Sequence, residues 1–314
     1  MASRLASRQE AKRLEELLFA EWAEKKKIIE EELNKVVNTQ MSEGDLVNVA
    51  KYISEGGKRF RGFLTILTAE ALGGSVNDAL DAAVAIELVQ AASLAIDDII
   101  DKDVERRGRA AAWIKHGLPK TVLSSLLFIP VSQRIVERLG FRAIFHVIRA
   151  WEATVRGEIL DSFLPRLVPA SRYLELCKLK TGSLFKLATI LGAISAKAPL
   201  EVESKMGEYG EILGVLYQVA DDVVDYHNYK VGLKPYEPGL KHFESWARNQ
   251  GPDPVEVGLR FLAERLDYVS NLLDTIEFRS EKAVLLYFIP EFMVSKMLEE
   301  AGLNGRLRDL RATN

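Results

Sequence analysis

Apolar residues recur at helical spacing along almost the whole chain, and this pattern constrains the fold more than any other feature. One apolar helix face is formed by Leu14, Leu17, Leu18 and Trp22, because residues three and four apart share a face. Alternating patterns typical of strands are nearly absent, so the sequence predicts an all-α protein. The predicted helices lie near residues 8–36, 44–54, 60–72, 78–104, 119–138, 141–163, 171–196, 202–227, 254–275 and 279–301.

The length and composition favour a single compact unit. The chain has 314 residues, of which 48% are hydrophobic and 28% charged, which is typical of a globular protein with a sizeable core. No long segment rich in Pro, Gly and Ser divides it, so we expect one domain spanning residues 1–314. Residues 1–16 lack the apolar stretch of a secretory signal, and uncharged runs such as 121–133 and 187–196 are too short to cross a bilayer. We expect a cytoplasmic protein.

Several function classes find no support in the sequence. The formal net charge of −3 gives no global attraction to nucleic acid, so we expect no nucleic-acid partner. Cys177 is the only cysteine, and the four histidines lack the spacing of a zinc site, so we interpret them as lying outside any site. Gly207, Gly210 and Gly214 follow no predicted strand, which favours close helix packing over a nucleotide-binding loop.

Two predicted helical stretches, 82–100 and 211–225, are apolar nearly all round, as a helix buried in the middle of a bundle is. An isolated ionised carboxylate is costly to bury, so aspartates there must face water, a cation or a basic group. Each stretch ends in such a cluster, made of Asp97, Asp98 and Asp101 in the first and Asp221, Asp222 and Asp225 in the second. The chemistry should therefore lie where these two helices end.

The spacing within the clusters predicts a metal site. Asp97 and Asp101 lie one helical turn apart, so their carboxylates point the same way and repel each other, and Asp221 and Asp225 repeat this arrangement. Mg²⁺ relieves such repulsion and typically binds one or two carboxylates together with phosphate oxygens and water. A single acidic triplet is more often a solvated helix face, but two equal triplets ending two buried helices favour a metal that holds a diphosphate.

Two basic segments, 56–61 and 106–109, supply the complementary charge. The first reads Gly-Gly-Lys-Arg-Phe-Arg, and the second, Arg-Arg-Gly-Arg, comes soon after the first aspartates. Arginine binds pairs of phosphate oxygens, lysine adds a mobile point charge, and a glycine pair lets the backbone approach an anion. Surface solubility is the alternative, but the position of both segments near an aspartate cluster favours anion binding.

Five motifs together resemble the trans-polyprenyl diphosphate synthases. They are GGKRFRG, ELVQAASLAIDDIID, ERRG, KTGSLFKL and YQVADDVVDY, and they extend from about residue 56 to residue 226. The segments AAWIKHG and IPEFM, with KTGSLFKL and DDVVDY, most resemble the archaeal hexaprenyl diphosphate synthases, a medium-chain branch. The resemblance implies an antiparallel helical bundle of the isoprenoid synthase type with a central cavity, a homodimer, and Mg²⁺ as cofactor.

The resemblance also implies roles for individual residues. Asp97, Asp101 and Asp221 would coordinate Mg²⁺, and Asp98, Asp222 and Asp225 would assist them directly or through water. The allylic diphosphate would contact Arg106, Lys180, Thr181 and Gln218. Isopentenyl diphosphate would contact Lys58, Arg61, Gln90 and Arg107, with Gln90 standing where many members have His. The expected catalytic set is Asp97, Asp98, Asp101, Lys180 and Asp221.

The reaction implied is ionisation of an allylic C–O bond, attack by the isopentenyl double bond, and loss of a proton. Product length should depend on Ala92 and Ser93, the fifth and fourth residues before Asp97, where short-chain relatives commonly carry an aromatic residue. Their small side chains favour an open cavity and a hexaprenyl product made from farnesyl or geranylgeranyl diphosphate. The alternative is that they merely allow close helix packing, with a shorter geranylgeranyl or farnesylgeranyl product.

The sequence departs from the family in residues 226–246, which lack the stretch GKPxGxD followed by a lysine. Which of Lys230, Lys234 and Lys241 contacts diphosphate therefore stays open. Residues 118–133 also lack the common pattern AxLxGD, and both departures fit the medium-chain branch. The basic tail, 306–311, is either a solvated end or a cover over bound diphosphate.

Two other functions compete with chain elongation. A terpene cyclase would ionise the same substrates, but its second metal motif usually mixes Asn or Asp, Ser or Thr, and Glu, whereas here that motif is all aspartate. A non-catalytic subunit of a heteromeric synthase is the other alternative, although such subunits often lose their aspartates. A peripheral membrane contact for product release stays open.

Overall fold

The computed structural model describes residues 8–41, 44–162, 170–237 and 239–312. Helices form almost all of the regular structure, which confirms the predicted all-α class. The α-helices of this part are α1 (Arg8–Gln40), α2 (Leu46–Ser54), α3 (Phe60–Ala71), α4 (Val76–Ile100), α5 (Ala112–His116), α6 (Leu118–Ile135), α7 (Phe141–Ser162), α8 (Tyr173–Cys177), α9 (Ser183–Ser195), α10 (Leu200–Lys230), α11 (Leu240–Arg248), α12 (Pro254–Asp274), α13 (Ala283–Glu300) and α14 (Asn304–Ala312).

The centre of the bundle is α9, which is buried along its whole length. Every residue from Ser183 to Ser195 except Lys186 is buried, and α3, α4, α7 and α10 pack around it. The stretches 82–100 and 211–225, predicted to be central, lie in α4 and α10, and both helices contact α9. The sequence pattern did not single out α9, because no polar cluster marks its end.

A capping box begins α4, the helix that carries the first aspartates. Ser75 Oγ accepts a hydrogen bond from the Asp78 amide at 3.3 Å, and Asp78 Oδ2 accepts one from the Ser75 amide at 3.0 Å. These two bonds satisfy amides that have no partner inside the helix. The helix ends at Ile100 rather than at residue 104, so the predicted end is wrong by four residues.

A small β-hairpin follows α4. Its strands, β1 (Glu105–Arg106) and β2 (Arg109–Ala110), pair antiparallel. Arg107 and Gly108 form the turn with positive φ angles of 56° and 71°, as the two central residues of a type I′ turn require. The hairpin therefore holds the second basic segment against the carboxyl end of α4.

The predicted helix over 171–196 is wrong as a single element. A 3₁₀ turn (Ala170–Arg172) leads into α8, a π-helical turn (Lys178–Gly182) follows, and only then does α9 begin. A π turn widens the backbone by one residue, and this one occurs where two neighbouring helices present glycines to it. The 3₁₀ turn Val136–Leu139 likewise ends the predicted helix 119–138.

Three of the short helices were missed, because segments this short give little periodic signal. These are α5, α11 and α14. In α14, Arg306 Nη2 lies 2.9 Å from Glu256 Oε2, and Arg311 Nη1 lies 3.0 Å from Glu291 Oε2. The basic tail is therefore a helix docked on α12 and α13 and not a solvated end.

By length and composition, α4 is the one helix of the described ranges that could cross a membrane. Of its most apolar stretch, 67% is buried inside the bundle. This burial accounts for the apolarity of α4 by its place in the protein core.

Candidate active site

The first aspartate cluster lies at the carboxyl end of α4, where the helix dipole is itself negative. Arg106 of β1 donates from Nε to Asp98 Oδ1 at 2.6 Å and places Nη2 3.6 Å from Asp97 Oδ2. The Asp98 side chain is only 5% exposed, so its charge is matched inside the protein. Asp97 and Asp101 instead face Lys180 and an unpredicted carboxylate on α7.

The acidity of this cluster is strongly perturbed. Burial raises the pKa of Asp97 to about 7, with Lys180 opposing the rise and the nearby carboxylates of Glu158 and Asp101 adding to it. Burial likewise raises the pKa of Asp101. The fold therefore holds carboxylates where ionisation is costly, and a bound cation would reduce that cost.

Lys180 stands among three carboxylates. Its Nζ lies 2.5 Å from Asp161 Oδ2, 3.1 Å from Glu158 Oε2 and 3.5 Å from Asp97 Oδ1. Burial alone would lower the pKa of Lys180, but Asp161, Asp97 and Glu158 together raise it above its ordinary value. The ammonium is therefore fixed in its charged form beside the first cluster, as binding of an anionic substrate requires.

The backbone that carries Lys180 is held between two glycines. A Cβ on Gly157 of α7 would lie 2.6 Å from the Lys180 nitrogen, and a Cβ on Gly214 of α10 would lie 2.6 Å from Gly182 Cα. Only residues without side chains allow the three backbones to approach this closely. The π turn is therefore clamped between α7 and α10, and its side chains are fixed by backbone packing. The prediction that Gly214 serves close packing is confirmed.

The second cluster begins on α10 with Asp221, for which the described residues offer no hydrogen bond or ion pair. Asp222 accepts hydrogen bonds from the Tyr173 hydroxyl at 2.5 Å and from Gln218 Nε2 at 3.2 Å. Asp225 Oδ1 lies 2.6 Å from Lys234 Nζ. Asp221 is therefore the member of this cluster left available to a ligand.

The two clusters are joined through neighbouring residues of the π turn. While Lys180 reaches Asp97, Thr181 donates from Oγ1 to Gln218 Oε1 at 2.8 Å. Gln218 in turn contacts Asp222, so five of the predicted residues form one connected group. The structure thus brings together the residues expected to bind the allylic diphosphate.

Electrostatics at the second cluster parallel those at the first. Burial raises the pKa of Asp221 to about 6, with Asp225 adding to the rise and Lys234 opposing it. Burial also raises the pKa of Asp222 to about 7, opposed by the hydrogen bond from Tyr173. Both sides of the site therefore hold carboxylates that gain from a cation.

These donors fit Mg²⁺ bound together with its substrate. Asp101 and Asp221 have no ionic partner within hydrogen-bonding distance among the described residues, and their pKa values are raised. Within the same ranges, no three His, Cys, Asp or Glu side chains are grouped closely enough to hold a metal by themselves. Mg²⁺ commonly takes one or two carboxylates and completes its shell with phosphate oxygens and water, so this donor set suits a shared metal.

The first basic segment and the hairpin, both expected to bind an anion, lie side by side. A Cβ on Gly56 would lie 3.7 Å from Arg107 Cδ, so the glycine pair and the hairpin are in contact. Arg61 places its guanidinium 4.4 Å from the centre of the Phe185 ring, and its buried Nε has no partner in the described ranges. The same holds for the buried Oε1 of Gln90. The unmatched Nε–H of Arg61 is a donor that an anionic ligand could satisfy, whereas Gln90 Oε1 is itself an acceptor.

Glu87 fixes the start of α3 in this region. Its Oε1 accepts a hydrogen bond from the Gly62 amide at 2.8 Å, and its Oε2 lies 3.6 Å from Arg59 Nη1. The Lys58 side chain is exposed, while its carbonyl accepts a hydrogen bond from Trp22 Nε1 at 2.8 Å. The backbone of the segment is thus anchored, and the Lys58 ammonium is left in solvent.

The residues expected to set chain length lie one to two turns before the first aspartates. Ala92 is completely buried, whereas Ser93 is partly exposed and donates from Oγ to the Gln90 carbonyl at 2.9 Å. The helix α4 packs against α3, α6 and α9, and within the described residues no free space adjoins the buried Ala92 side chain. A larger side chain at position 92 would therefore have to displace its neighbours.

Four residues of the site were missed at the sequence level. Glu158 and Asp161 lie one turn apart on α7, Tyr173 lies on α8, and His242 lies on α11. Glu158 and Asp161 repeat the one-turn carboxylate spacing and could have been noticed, but Tyr173 and His242 carry no local signal. Of the three open lysines, Lys234 contacts a motif aspartate.

Comparisons with known proteins agree with this geometry. The family model described as polyprenyl synthetase matches residues 44–234. A hexaprenyl pyrophosphate synthase from Saccharolobus solfataricus is 35% identical over 284 residues, covering 90% of this chain and 97% of the relative. A geranylgeranyl diphosphate synthase from Methanosarcina mazei is 29% identical, covering 80% and 90%.

Among solved structures, a geranylgeranyl pyrophosphate synthetase from Pyrococcus horikoshii superposes with a TM-score of 0.76 at 24% identity, covering 89% of this chain and 98% of that one. At this identity the likeness concerns the fold. The family match covers more than half of the chain, and the Saccharolobus relative extends the likeness to most of it. This chain therefore belongs to the polyprenyl synthetase family.

Proposed function

We propose that the chain is a Mg²⁺-dependent trans-prenyltransferase that adds isopentenyl diphosphate to farnesyl or geranylgeranyl diphosphate. The observation that carries this proposal is the pair of buried aspartate clusters joined by the Lys180–Thr181 turn. The first cluster meets Lys180 and the second meets Thr181 through Gln218. One diphosphate bound between them would neutralise both sides of the site.

In this proposal the allylic diphosphate is bound by Lys180, Thr181, Gln218 and Arg106. Lys180 is charged and fixed, so it can stabilise the oxygen atoms that gain charge as the C–O bond breaks. Bound Mg²⁺ would neutralise further diphosphate charge, held by Asp97, Asp101 and Asp221. We assign Lys234 as the lysine after the second motif that reaches the diphosphate, since its ammonium already lies at Asp225.

Isopentenyl diphosphate would occupy the side formed by Lys58, Arg61, Gln90 and Arg107. The reaction breaks the allylic C–O bond, and the electron pair leaves with the diphosphate. The π electrons of the isopentenyl double bond then form the new C–C bond. A proton is lost to the departed diphosphate, which restores a double bond in the product. The apolar walls of the bundle would keep water from the cation.

We also propose a linear medium-chain product of hexaprenyl length. The small and partly exposed Ser93 supports this, as does the likeness to the Saccharolobus relative that carries the name hexaprenyl pyrophosphate synthase. The complete burial of Ala92 fits close helix packing at that position instead. The likeness to synthases named for geranylgeranyl diphosphate makes a shorter product the alternative.

A product assay tests the reaction. The purified chain is incubated with Mg²⁺, isopentenyl diphosphate and either primer, and product lengths are measured with and without a chelator. We expect Asp97→Ala to lower turnover at least about a hundredfold, since it removes a group that acts on the developing charge. The matched control is Asp81→Ala at the opposite end of α4, which should keep full turnover. Absence of product with either primer would refute the proposal.

A homodimer is proposed for the same chain. Exposed apolar side chains recur along one face of α7 and continue onto the adjoining α6, as an interface between two copies would require. They are Leu123, Leu126, Phe141, Phe145, Ile148, Val155 and Ile159. Light scattering should give twice the 35.1 kDa of one chain, and Phe145→Asp should shift the mass to that of a monomer. A monomeric wild type would contradict the assignment.

A further inference from the structure

His242 on α11 is a buried imidazole that nothing in the proposed reaction uses. The residue is 3% exposed, and neither Nδ1 nor Nε2 has a hydrogen-bond partner in the described part of the chain. Leaving a buried polar group unpaired costs free energy, so such groups are uncommon and call for an explanation. The position of the ring supplies one.

The imidazole faces the group that fixes Lys180. His242 Nε2 lies 3.7 Å from Asp161 Oδ1, while Asp161 Oδ2 lies 2.5 Å from Lys180 Nζ. Asp161 therefore has the ammonium on one oxygen and the imidazole just beyond hydrogen-bond length on the other. Lys180 continues the connection to the first cluster, 3.5 Å from Asp97 Oδ1.

The helix that carries His242 is packed through aromatic rings. The neighbouring Phe243 and Trp246 of α11 contact the ring of Tyr173, with centroid distances of 5.9 Å and 4.9 Å. Tyr173 in turn donates to Asp222. Because aromatic packing holds α11 in place, a shift of the Asp161 carboxylate by a few tenths of an ångström is enough to close the hydrogen bond.

Binding of a diphosphate would require such a shift. Lys180 has three N–H donors, and three carboxylates now surround its ammonium. A diphosphate must take at least one of these donors, which weakens the hold of Lys180 on Asp161. A partly buried carboxylate that loses its cation needs another donor. His242 is the buried group placed to provide it.

We propose that His242 is a positioning residue, whose Nε2–H donates to Asp161 and so directs the Lys180 ammonium at the allylic diphosphate. The inference rests on the proposed function of Lys180 as a diphosphate ligand. It predicts a defect confined to one substrate, because Lys180 lies on the allylic side. A residue that merely supports the fold would affect both substrates.

The test replaces His242 by Phe, which keeps the ring volume and removes both nitrogens. The matched control is His146→Phe, since His146 also faces a carboxylate, with Nε2 3.1 Å from Glu203 Oε1, but lies about 20 Å further along α7 from Asp161. We expect His242→Phe to raise the allylic KM about tenfold, the size of one lost hydrogen bond to a charged group. The isopentenyl KM should change less than about twofold, and His242→Gln should restore the allylic KM.

A binding measurement separates this inference from the proposed reaction. Titration of the purified protein with inorganic diphosphate in the presence of Mg²⁺ needs no turnover, so it decides the role of His242 even if the wild type makes no product. Weaker binding by His242→Phe with rescue by His242→Gln supports the proposal. Equal binding by wild type and His242→Phe, or equal loss for both substrates, overturns it. If the Phe variant does not fold, His242→Met removes the same donors with a more flexible side chain.

Discussion

Replacing Gly214 by alanine tests whether backbone packing positions the π turn. An alanine Cβ would lie 2.6 Å from Gly182 Cα and 3.0 Å from the Thr181 carbonyl oxygen. Both contacts are with backbone, which cannot rotate away as a side chain can. Non-bonded carbon atoms pack at about 3.5–4.0 Å, so the turn must move by roughly 1 Å relative to α10.

The expected magnitude follows from two opposing effects. Overpacking a filled core costs about 1–3 kcal/mol, and exchanging Gly for Ala inside a helix returns about 1 kcal/mol. The net loss of unfolding free energy should therefore be about 1 kcal/mol. The loss of activity should be larger, because a misplacement of about 1 Å in a catalytic group can lower the rate about a hundredfold.

Urea unfolding and steady-state kinetics measure the two effects. The matched control is Gly207→Ala on the same helix, where the new Cβ would meet Ile190 Cδ1 at 2.9 Å, the far end of a flexible side chain. This control should keep its activity and lose little or no stability. If both variants retain wild-type kcat/KM, backbone packing does not set the position of Lys180 and the reasoning fails.

Three further predictions concern separate parts of the molecule. Ala92→Phe should shorten the main product by at least one isoprene unit while turnover continues, and an unchanged chain-length distribution would remove Ala92 from this role. Lys234→Ala should raise the allylic KM about fivefold, as loss of one exposed ionic contact does, and an unaltered KM would return the assignment to the other lysines. Burial alone would raise the pKa of Glu21, but Lys282 and Lys25 together lower it below 4.5. The ion pairs of Glu21 therefore stabilise the fold above about pH 4.5. This stabilisation is lost as the pH falls through the lowered pKa. Glu21→Gln should therefore cost about 1–3 kcal/mol at pH 7, and the difference from wild type should disappear as the pH falls through the lowered pKa of Glu21, as measured by urea unfolding.

The helical class and the two aspartate clusters could be predicted because both depend on local spacing. Residues three or four apart on a helix share a face whatever surrounds it, so Asp97 with Asp101 and Asp221 with Asp225 were readable from the sequence alone. Their environment was not readable. Arg106 forms an ion pair with Asp98 because a hairpin turn places it there. Asp221 has no ionic contact in the described residues because of how distant helices pack around it.

Residues contributed by other helices could not be placed for the same reason. Asp161, Lys180 and His242 come from three separate elements and meet only when α7, the π turn and α11 are packed together. Nothing in the local sequence of α11 distinguishes a histidine that faces the site from one that fills the core. The short helix itself was missed, so its histidine had no predicted neighbours.

The glycines of α10 carry more information than periodicity uses. Glycine inside a helix costs about 1 kcal/mol relative to alanine, so Gly207, Gly210 and Gly214, spaced by three and four, imply a helix face on which another backbone must come close. That backbone must also lack bulk at the point of contact, and Gly182, next to the turn residues Lys180 and Thr181, meets this requirement. Gly157, an interior helix glycine next to a carboxylate, marks a second helix that could contact the same turn from the opposite side. A search for interior helix glycines that could pack against each other therefore predicts from the sequence which helices contact a substrate-binding turn. Periodicity alone predicts only which residues share a helix face.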